Sequence, residues 1–465
     1  MLGRRSLAAP TLPLLAGCVL LGCGDSPTDP DPPSYSVEPL HQWAGGAVAI
    51  AASGGMFEVG DMIRSGADTL AMLETRTELV TLRLPQGANG PTTIKVMRRG
   101  ITLGEVAVEA YGVEDLRVYP GRMSDMISDL PVPSGVSVVA RHYERGCCGD
   151  SEGGFVWIYP STGMHGTFPG TPDLWDLFRV GVDPLTGDLY YENRWGEEGE
   201  CFEDGCEVVH RARIEGGALV DLGWEERPCN RWGCQPMSGD IWIALDGALT
   251  CRVVSSPEGD ACKYIDSSLN ADDPLGIEYL WSRDVALLLG PPFAIRMSTG
   301  EHIYSLSDFY YSAAVDEPRG LFYLSARVLE WRDASWDIEI VTVHGEDGAE
   351  VRARGLTLTC PPGVSPPSSC SYPDLAYDDV RDLLYLLRAD TRTLEARDPE
   401  TFELRAQIAL PDDVGDWYFA RVLVDEFTKH VFVVFAGAGT FDETFRDYRP
   451  VEGTPVLSVR LPPTE

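Results

Sequence analysis

The segment YDDVRDLLY, residues 377–385, contains the short pattern on which the second half of the chain is built. An aspartate follows an apolar or aromatic residue, five mostly polar or turn-forming residues come next, and an apolar and an aromatic residue close the pattern. The same offset recurs in four copies: Asp183 to Tyr190, Asp316 to Tyr323, Asp378 to Tyr385 and Asp425 to Phe432. Because aspartate favours the start of tight turns, each copy predicts two strands joined by a short turn.

The spacing of the copies indicates how many repeats the chain holds. Asp316, Asp378 and Asp425 lie 62 and 47 residues apart, and the gap of 133 residues after Asp183 corresponds to about three steps of 44. Two weaker repeats are therefore expected at residues 237–245 and 279–289, and one more upstream at residues 136–159. Strand repeats of this length predict an all-β fold with a β-propeller of about seven blades, within a range of six to eight.

Segments that would complete each blade are also visible. LEARDPETFE, residues 394–403, and AIRMSTGE, residues 294–301, each end one strand in a turn and begin another. With the aspartate pattern they resemble the four-stranded blades of the YVTN/NHL type of β-propeller, which we assign to residues 113–465. The resemblance implies that the turn aspartates accept backbone N–H groups and that the aromatics pack between sheets. A strand at residues 116–119 is expected to complete the last blade, because an unclosed sheet would expose an edge.

Residues 36–112 predict a separate first unit. A Ser-Val-Glu-Pro start and a Gly-Gly pair precede the strand at residues 47–51, and a hairpin closed by Arg99 and Gly100 precedes the final strand at residues 105–111. This order resembles the IPT/TIG immunoglobulin-like domain of bacterial surface proteins. The resemblance implies a β-sandwich whose default role is that of a spacer.

The first 23 residues predict a targeting segment. Two arginines precede an apolar stretch, residues 7–21, that is short for a permanent membrane span. Leu20-Leu21-Gly22-Cys23 resembles the lipobox of bacterial lipoprotein signal peptides, and Cys18 ends a second matching tetrapeptide. We favour Cys23 because the polar, Pro-rich tether at residues 24–35 follows it at once. The resemblance implies a lipid-anchored protein of the bacterial cell envelope that faces the periplasm or the exterior.

Ten further cysteines fall in close couples, as expected for disulfides in an exported chain. The couples are Cys147 with Cys148, Cys201 with Cys206, Cys229 with Cys234, Cys251 with Cys262, and Cys360 with Cys370. Zinc is the alternative interpretation, but its best set, Cys201, Cys206 and His210, supplies only three ligands. The couples lie in or beside five predicted insertions, residues 146–154, 195–206, 225–235, 256–274 and 360–372.

The net charge of −35 bears on partners and cofactors. A field of this sign repels phosphate backbones, so nucleic-acid binding is disfavoured. The one cofactor that the sequence suggests is calcium, because oxygen ligands alternate at Asp266, Ser268, Asn270 and Asp272. The loop lacks the glycine expected at its sixth position, where Ala271 stands, and a polar turn before Pro274 is the alternative.

The sequence favours a binding function over catalysis. No H-x-x-x-H pattern occurs, and the G-x-S-x-G at residues 149–153 lacks the strand and helix that a nucleophile elbow needs. We therefore expect a non-catalytic binding or scaffold protein whose disulfide-braced propeller loops recognise a protein or a glycan. The alternative is a propeller enzyme, a glycan lyase or hydrolase or a redox enzyme, with carboxylates around the central channel. Buried, convergent carboxylates in that channel would favour the enzyme.

Overall fold

The computed structural model describes most of the chain between residues 34 and 463. The described residues are 34–54, 56–120, 123–132, 135–145, 151–167, 177–182, 188–193, 206–215, 218–230, 233–234, 241–245, 249–253, 277–289, 292–296, 301–308, 310–326, 330–332, 335–359, 373–414, 417, 419–436, 439–442, 447–450 and 453–463. Within them the regular elements are strands and two single-turn 3-10 helices, Trp281–Arg283 and Asp412–Val414. The protein is all-β, as predicted.

Two sheets packed face to face form the first unit. Its strands are β1 (Ser34–Glu38), β2 (His41–Trp43), β3 (Ala47–Ser53), β4 (Met62–Ser65), β5 (Asp68–Thr69), β6 (Met72–Thr75), β7 (Leu79–Arg83), β8 (Gly90–Arg98) and β9 (Ile101–Tyr111). One sheet has the order β1-β3-β7-β6 and the other the order β2-β9-β8-β4-β5. The first strand begins at Ser34, so the last two residues assigned to the tether belong to the sandwich.

Alternation along the strands builds the sandwich core. In β3, Val48 and Ile50 are buried while their neighbours are partly exposed, and in β8 the same holds for Ile94 and Val96. Successive side chains of a strand point to opposite faces of its sheet, so these residues meet between the two sheets. Phe57, from the loop after β3, completes this cluster.

In the part of the chain that the structure describes, seven sheets of the propeller follow, and we number them as blades 1–7 in chain order. Blade 1 comprises β11 (Met123–Val132), β12 (Gly135–Arg145), β13 (Ser151–Tyr159) and β14 (Met164–Thr167). Blade 2 comprises β15 (Leu177–Val182), β16 (Asp188–Asn193), β17 (Cys206–Glu215), β18 (Ala218–Asn230) and β19 (Gly233–Cys234). Blade 3 comprises β20 (Ile241–Leu245) and β21 (Leu249–Val253). Blade 4 comprises β22 (Ile277–Leu280), β23 (Val285–Leu288), β24 (Phe293–Arg296) and β25 (His302–Ser305). Blade 5 comprises β26 (Tyr310–Asp316), β27 (Leu321–Ala326), β28 (Glu330–Arg332), β29 (Ser335–His344) and β30 (Glu350–Thr359).

Blade 6 is built from consecutive strands, whereas blade 7 uses both ends of the propeller sequence. Blade 6 comprises β31 (Asp374–Asp378), β32 (Leu383–Arg388), β33 (Thr393–Arg397) and β34 (Leu404–Ala409). Blade 7 comprises β35 (Phe419–Asp425), β36 (His430–Ala436), β39 (Thr454–Arg460) and β10 (Val113–Tyr119). Two further strands, β37 (Gly439–Asp442) and β38 (Asp447–Pro450), form a separate hairpin. Leu116 of β10 lies opposite Leu457 of β39. The expectation that an early strand completes the last blade is confirmed.

The first strand of each blade lies at the centre of the ring. Contacts join β22 to β26, β26 to β31, β31 to β35, β35 to β11, β11 to β15 and β15 to β20. Between the sheets the packing is apolar: Leu384 and Leu386 of blade 6 join a cluster with Tyr323 of blade 5. The weaker repeats predicted at residues 237–245 and 279–289 correspond to β20 and to β22 with β23.

The sandwich is docked on the propeller rather than separated from it. Trp43 and Tyr111, at one end of the sandwich, belong to the apolar cluster shared by blades 6 and 7. Gly45 lies directly against the backbone carbonyl of Gln407 in β34, and Arg460 stacks on the ring of Tyr111. Because the two units share a core, the first unit is packed against the propeller and does not act simply as a spacer.

Candidate functional site

The three turn aspartates in the described part of the chain, Asp316, Asp378 and Asp425, end the first strands of their blades and are buried there. Asp316 accepts the backbone N–H of Arg319 at 3.0 Å, and Asp378 accepts those of Val380 and Arg381 at 3.0 Å. Asp425 accepts the backbone N–H of the residue two positions later at 2.9 Å. These carboxylates close the turns between first and second strands. Their contacts are those of structural residues.

The aromatic residue seven positions later supplies a hydrogen bond as well as packing. The hydroxyls of Tyr323 and Tyr385 donate to Oδ2 of Asp316 and Asp378, each at 3.1 Å. Burial, followed by the charge of Asp378, raises the pKa of Tyr385 well above its ordinary value. Phe432 has no hydroxyl, and in blade 7 Oγ1 of Thr428 donates to Asp425 at 2.8 Å instead. The fixed offset thus places a donor beside the carboxylate in blades 5 and 6, and a residue of the turn supplies the donor in blade 7.

In blades 5 and 6, an arginine three positions after the aspartate ties the turn to the next blade. Arg319 donates from Nη1 to Asp316 at 2.8 Å and from Nη2 to Asp382 of blade 6 at 2.6 Å. This hydrogen bond from Arg319 is the main cause of the lowered pKa of Asp382. Arg381 in turn binds Asp378 and Glu426 of blade 7. The turns at residues 281–284, 317–320, 379–382 and 426–429 therefore form one clasped end of the ring, which we call the clasp face.

Longer connections leave the blades at the opposite end, which we call the open face. In four antiparallel strands, the link from second to third strand and the link to the next blade both lie at the end where first strands begin. In the described part of the chain this end includes residues 306–308, 389–392 and 410–414. The strands that bound four of the five predicted insertions also end here, at Arg145, Asn193, Asn230 and Thr359. The predicted bounds need correction, because residues 151–154 belong to β13 and residues 225–230 continue β18 rather than starting a loop.

Most predicted cysteine and calcium positions lie outside the described residues. Within described strands, the backbone of Cys229 in β18 lies directly opposite that of Cys234 in β19. Cys206 begins β17 and Cys251 lies in β21, and Tyr190 lies in β16 opposite Gly181. The positions outside are Cys18, Cys23, Cys147, Cys148, Cys201, Cys262, Cys360, Cys370, Asp183, Asp266, Ser268, Asn270 and Asp272.

Four polar side chains from the first strands of blades 4–7 meet at the open-face end of the central channel. Arg421 of β35 donates from Nη2 to Glu278 of β22 at 2.9 Å and from Nη1 to Asp374 of β31 at 3.3 Å. Asp374 also accepts the hydroxyl of Ser312 at 2.5 Å and the backbone N–H of Val422 at 2.6 Å. We call Glu278, Ser312, Asp374 and Arg421 the channel network.

In the channel network, the two carboxylates of Glu278 and Asp374 are paired with the guanidinium of Arg421. Burial raises the pKa of the Asp374 carboxyl, while Arg421 and the hydrogen bonds from Ser312 and Val422 oppose that rise. Glu278 is partly buried and shares the same guanidinium. Two carboxylates therefore do converge in the channel, as the enzyme alternative requires. Both are bound by one arginine, so the cluster links four blades at the centre of the ring.

Sequence reasoning missed the channel network because its members belong to different blades. Glu278 and Arg421 are 143 positions apart, and nothing in either strand marks them as partners. A weak signal exists in Arg421 and Asp374, since each is a charged residue in or at the start of an otherwise apolar first strand.

Among the described residues, no group of three or more His, Cys, Asp or Glu side chains is placed to hold a metal ion. The same residues include no helix that is long and apolar enough to cross a membrane. The calcium loop predicted at residues 266–272 lies outside the residues to which the first finding applies.

Comparison with known proteins gives likenesses to solved structures alone. No protein-family model matches the chain, and no curated protein matches it. A chain of the mitotic checkpoint complex aligns with 76% of this chain and 92% of its own length, at 9% identity and a TM-score of 0.45. An auxiliary nutrient binding protein from Bacteroides ovatus aligns over 91% and 97%, at 10% identity and a TM-score of 0.32. A putative phosphatase from Bacteroides thetaiotaomicron aligns over 94% and 98%, at 9% identity and a TM-score of 0.35. Likenesses this distant carry no information about ligand or activity.

Proposed function

We propose that this chain is a lipid-anchored binding protein of the bacterial cell envelope, whose open face recognises a protein or glycan partner. The observation that carries the proposal is the difference between the two ends of the propeller. The clasp face consists of short turns held by Arg319 and Arg381, whereas the longer links leave from the open face. Binding residues concentrate on loops that a rigid scaffold positions, so the open face is the recognition surface.

The leader and the tether supply the anchoring part of the proposal. Acylation at Cys23 would hold the chain on a membrane, and the ten residues that follow would lead into the IPT/TIG-like sandwich at Ser34. Bridges among the cysteine couples would brace the links on the open face. Rigid loops lose less entropy on binding, which suits recognition.

The contacts of the channel network favour binding over catalysis. A general acid or base must exchange a proton with substrate at a pKa near the working pH. Asp374 is surrounded by donors from Ser312, Arg421 and Val422, and Glu278 is ion-paired to the same arginine. These contacts suit side chains that hold the first strands together, so the protein acts through its surface.

The charge of the chain narrows the class of partner. At a net charge of −35, the protein repels polyanions over the range of the Debye length, about 8 Å at physiological ionic strength. An uncharged glycan or a protein segment without excess negative charge is the partner that this field admits.

A binding screen tests the proposal. The chain from residue 24 onward is exposed to panels of neutral and basic oligosaccharides and extended peptides, with and without calcium, and thermal shift is recorded beside binding. We expect saturable binding to at least one class. Absence of binding and of any thermal shift under every condition would contradict the proposal.

The convergence of Asp374 and Glu278 in the channel keeps the glycan-cleaving alternative as a second candidate. Here the test is product formation from the same oligosaccharides by the unmodified chain and by Asp374→Asn. Turnover that Asp374→Asn abolishes, in a variant that still folds, would favour the enzyme. Binding without turnover would favour the recognition protein.

A further inference from the structure

Three large apolar side chains are exposed together at one end of the sandwich. Met56 and Val59 lie in the loop after β3 and are 60% and 109% exposed, and Ile101, at the start of β9, is 68% exposed. Apolar side chains scattered singly over a surface are ordinary, but a group at one end of a domain indicates an interaction site. We call Met56, Val59 and Ile101 the tip.

Arg98 holds the loop and the β8–β9 turn together at the tip. Its Nη2 donates to the carbonyl of Met56 at 2.9 Å, and its Nη1 and Nε reach Glu58 at 2.6 Å and Asp61 at 2.7 Å. Arg98 also pairs with Ile101 across the hairpin. Hydrogen bonding from Arg98 is the main cause of the lowered pKa of Asp61. The tip is therefore a fixed surface.

The same end of the sandwich receives the chain from the leader. Ser34, where β1 begins, lies opposite Ser53 at the end of β3, immediately before the loop that carries Met56. The ring of Tyr35 packs against Phe57 in that loop, with centroids 5.9 Å apart. Trp43 and Tyr111 lie at the other end, on the propeller. The tip thus lies beside the tether and far from the propeller.

The tether is too short to hold the tip far from the anchor. Ten residues separate Cys23 from Ser34. Fully extended they span at most about 35 Å, and because four of the ten are proline, the polyproline spacing of about 3.1 Å per residue applies and gives a span of about 31 Å. A link of this length keeps the tip near the membrane surface, which raises its effective concentration there and favours weak surface contacts.

We propose that the tip docks on the lipid bilayer, placing Met56, Val59 and Ile101 among the headgroups and the first methylenes. This inference rests on the lipid anchor of the proposed function and deepens it. Charge also fits, because Arg98 neutralises much of the charge of Glu58 and Asp61 and Arg99 adds a further positive charge. These four side chains sum to no net charge, so on a chain with a net charge of −35 this end does not itself repel a headgroup surface.

The docked tip would set the orientation of the molecule. The shared core at Trp43 fixes the sandwich on blades 6 and 7, so a sandwich that stands on the membrane holds the propeller at a defined height and angle. Apolar anchors at a membrane surface add to acyl chains as a second signal. The acyl groups supply attachment and the tip supplies orientation.

Hydrogen–deuterium exchange of the acylated full chain tests the docking. The protein is reconstituted in vesicles of phosphatidylethanolamine and phosphatidylglycerol, and the exchange of its peptides is compared with that of the unlipidated chain in solution. We expect exchange at residues 56–60 and 99–102 to slow by about tenfold or more on the vesicles. Residues 426–429, which carry the exposed Phe427 on the clasp face, should exchange equally in both samples.

Matched variants separate the tip from the anchor. Val59→Asp with Ile101→Asp should remove the protection at the tip without changing acylation or melting temperature, whereas Phe427→Asp should leave the protection intact. Vesicle flotation and acyl labelling report the anchor independently of exchange. A labelled, floating chain whose tip exchanges as fast as in solution would overturn the docking and leave the anchored binding protein standing.

Two other outcomes also decide the matter. Protection at the tip that requires added envelope proteins and is absent on pure lipid would assign the tip to a protein partner and overturn the bilayer contact. A chain that carries no acyl group and does not float would overturn both the anchor and the docking.

Discussion

The indole ring of Trp43 packs edge-on against the phenol ring of Tyr385, with ring centroids 5.9 Å apart and an angle of 72° between the planes. Both side chains are buried. The hydroxyl of this tyrosine donates to the turn aspartate of blade 6. One residue of the repeated pattern therefore serves both its own blade and the junction with the sandwich. The two units are thus joined through buried side chains.

Gly45→Ala should open this junction. Gly45 has φ +69° and an added Cβ would lie 2.1 Å from the carbonyl oxygen of Gln407, so the sandwich would have to move off β34. Gly66→Ala is the matched control, because Gly66 has φ +59° and open space around it. We expect the control to lose about 1–2 kcal/mol of unfolding free energy from backbone strain alone, and Gly45→Ala to lose at least about 3 kcal/mol.

Urea unfolding and limited proteolysis of the full chain measure this difference. Cleavage near Gly112, between the two units, should accelerate in Gly45→Ala and remain slow in the control. Equal destabilisation by both substitutions would mean that the close contact with Gln407 does not contribute to the free energy of unfolding.

Tyr323→Phe should cost about 1 kcal/mol of stability, because it removes a hydrogen bond to the buried carboxylate of Asp316 and leaves the ring in place. Tyr304→Phe provides the comparison. The Tyr304 hydroxyl is buried and has no hydrogen-bond partner within the described part of the chain, so its removal should be neutral or slightly stabilising. Urea midpoints of the two variants would show no difference if the offset of seven residues served packing alone.

Asp398→Asn should change how stability depends on pH. Backbone and side-chain donors, first the N–H of Thr401 and then Arg405, lower the pKa of Asp398 to about 2. A folded-state pKa below the value of 3.8 expected for a free carboxyl stabilises the fold above about pH 4, and this stabilisation is lost as pH falls towards 2. The variant should therefore be less stable at pH 7, on the order of 1 kcal/mol after solvent screening.

Unfolding free energies between pH 7 and pH 2 provide the measurement for Asp398. The difference between the unmodified chain and Asp398→Asn should shrink below pH 4. Asp413→Asn, at an exposed position, controls for charge removal as such. A difference that stays constant with pH would contradict the lowered pKa.

Cys23→Ala should abolish acylation, and Cys18→Ala should leave it intact. The reason is that the polar tether begins directly after Cys23, whereas processing at Cys18 would leave three apolar residues on the mature chain. Incorporation of a labelled fatty acid and partition into the membrane fraction distinguish the two variants. Label retained by Cys23→Ala and lost from Cys18→Ala would move the anchor to the earlier cysteine.

The repeated aspartates could be predicted from the sequence because a turn is a local structure. The offset to the aromatic and the spacing of the copies led to blades, a ring and the closing strand β10. Arg319 and Arg381 were not recognised, because their partners in the next blade depend on how neighbouring sheets pack. The channel network could not be predicted for the same reason, because Arg421 contacts Glu278 only once the ring has formed.

Affinity at the two faces of the propeller tests the central claim most directly. Ser307→Arg with Thr391→Arg places two arginines at exposed sites on the open face, and Val380→Arg with Phe427→Arg does the same on the clasp face. For the tightest ligand of the oligosaccharide and peptide panels, calorimetry should give a loss of about tenfold or more, roughly 1.4 kcal/mol, for the open-face pair. The clasp-face pair should bind within about twofold of the unmodified chain. The reverse pattern, or equal affinity in all three proteins, would contradict recognition by the open face.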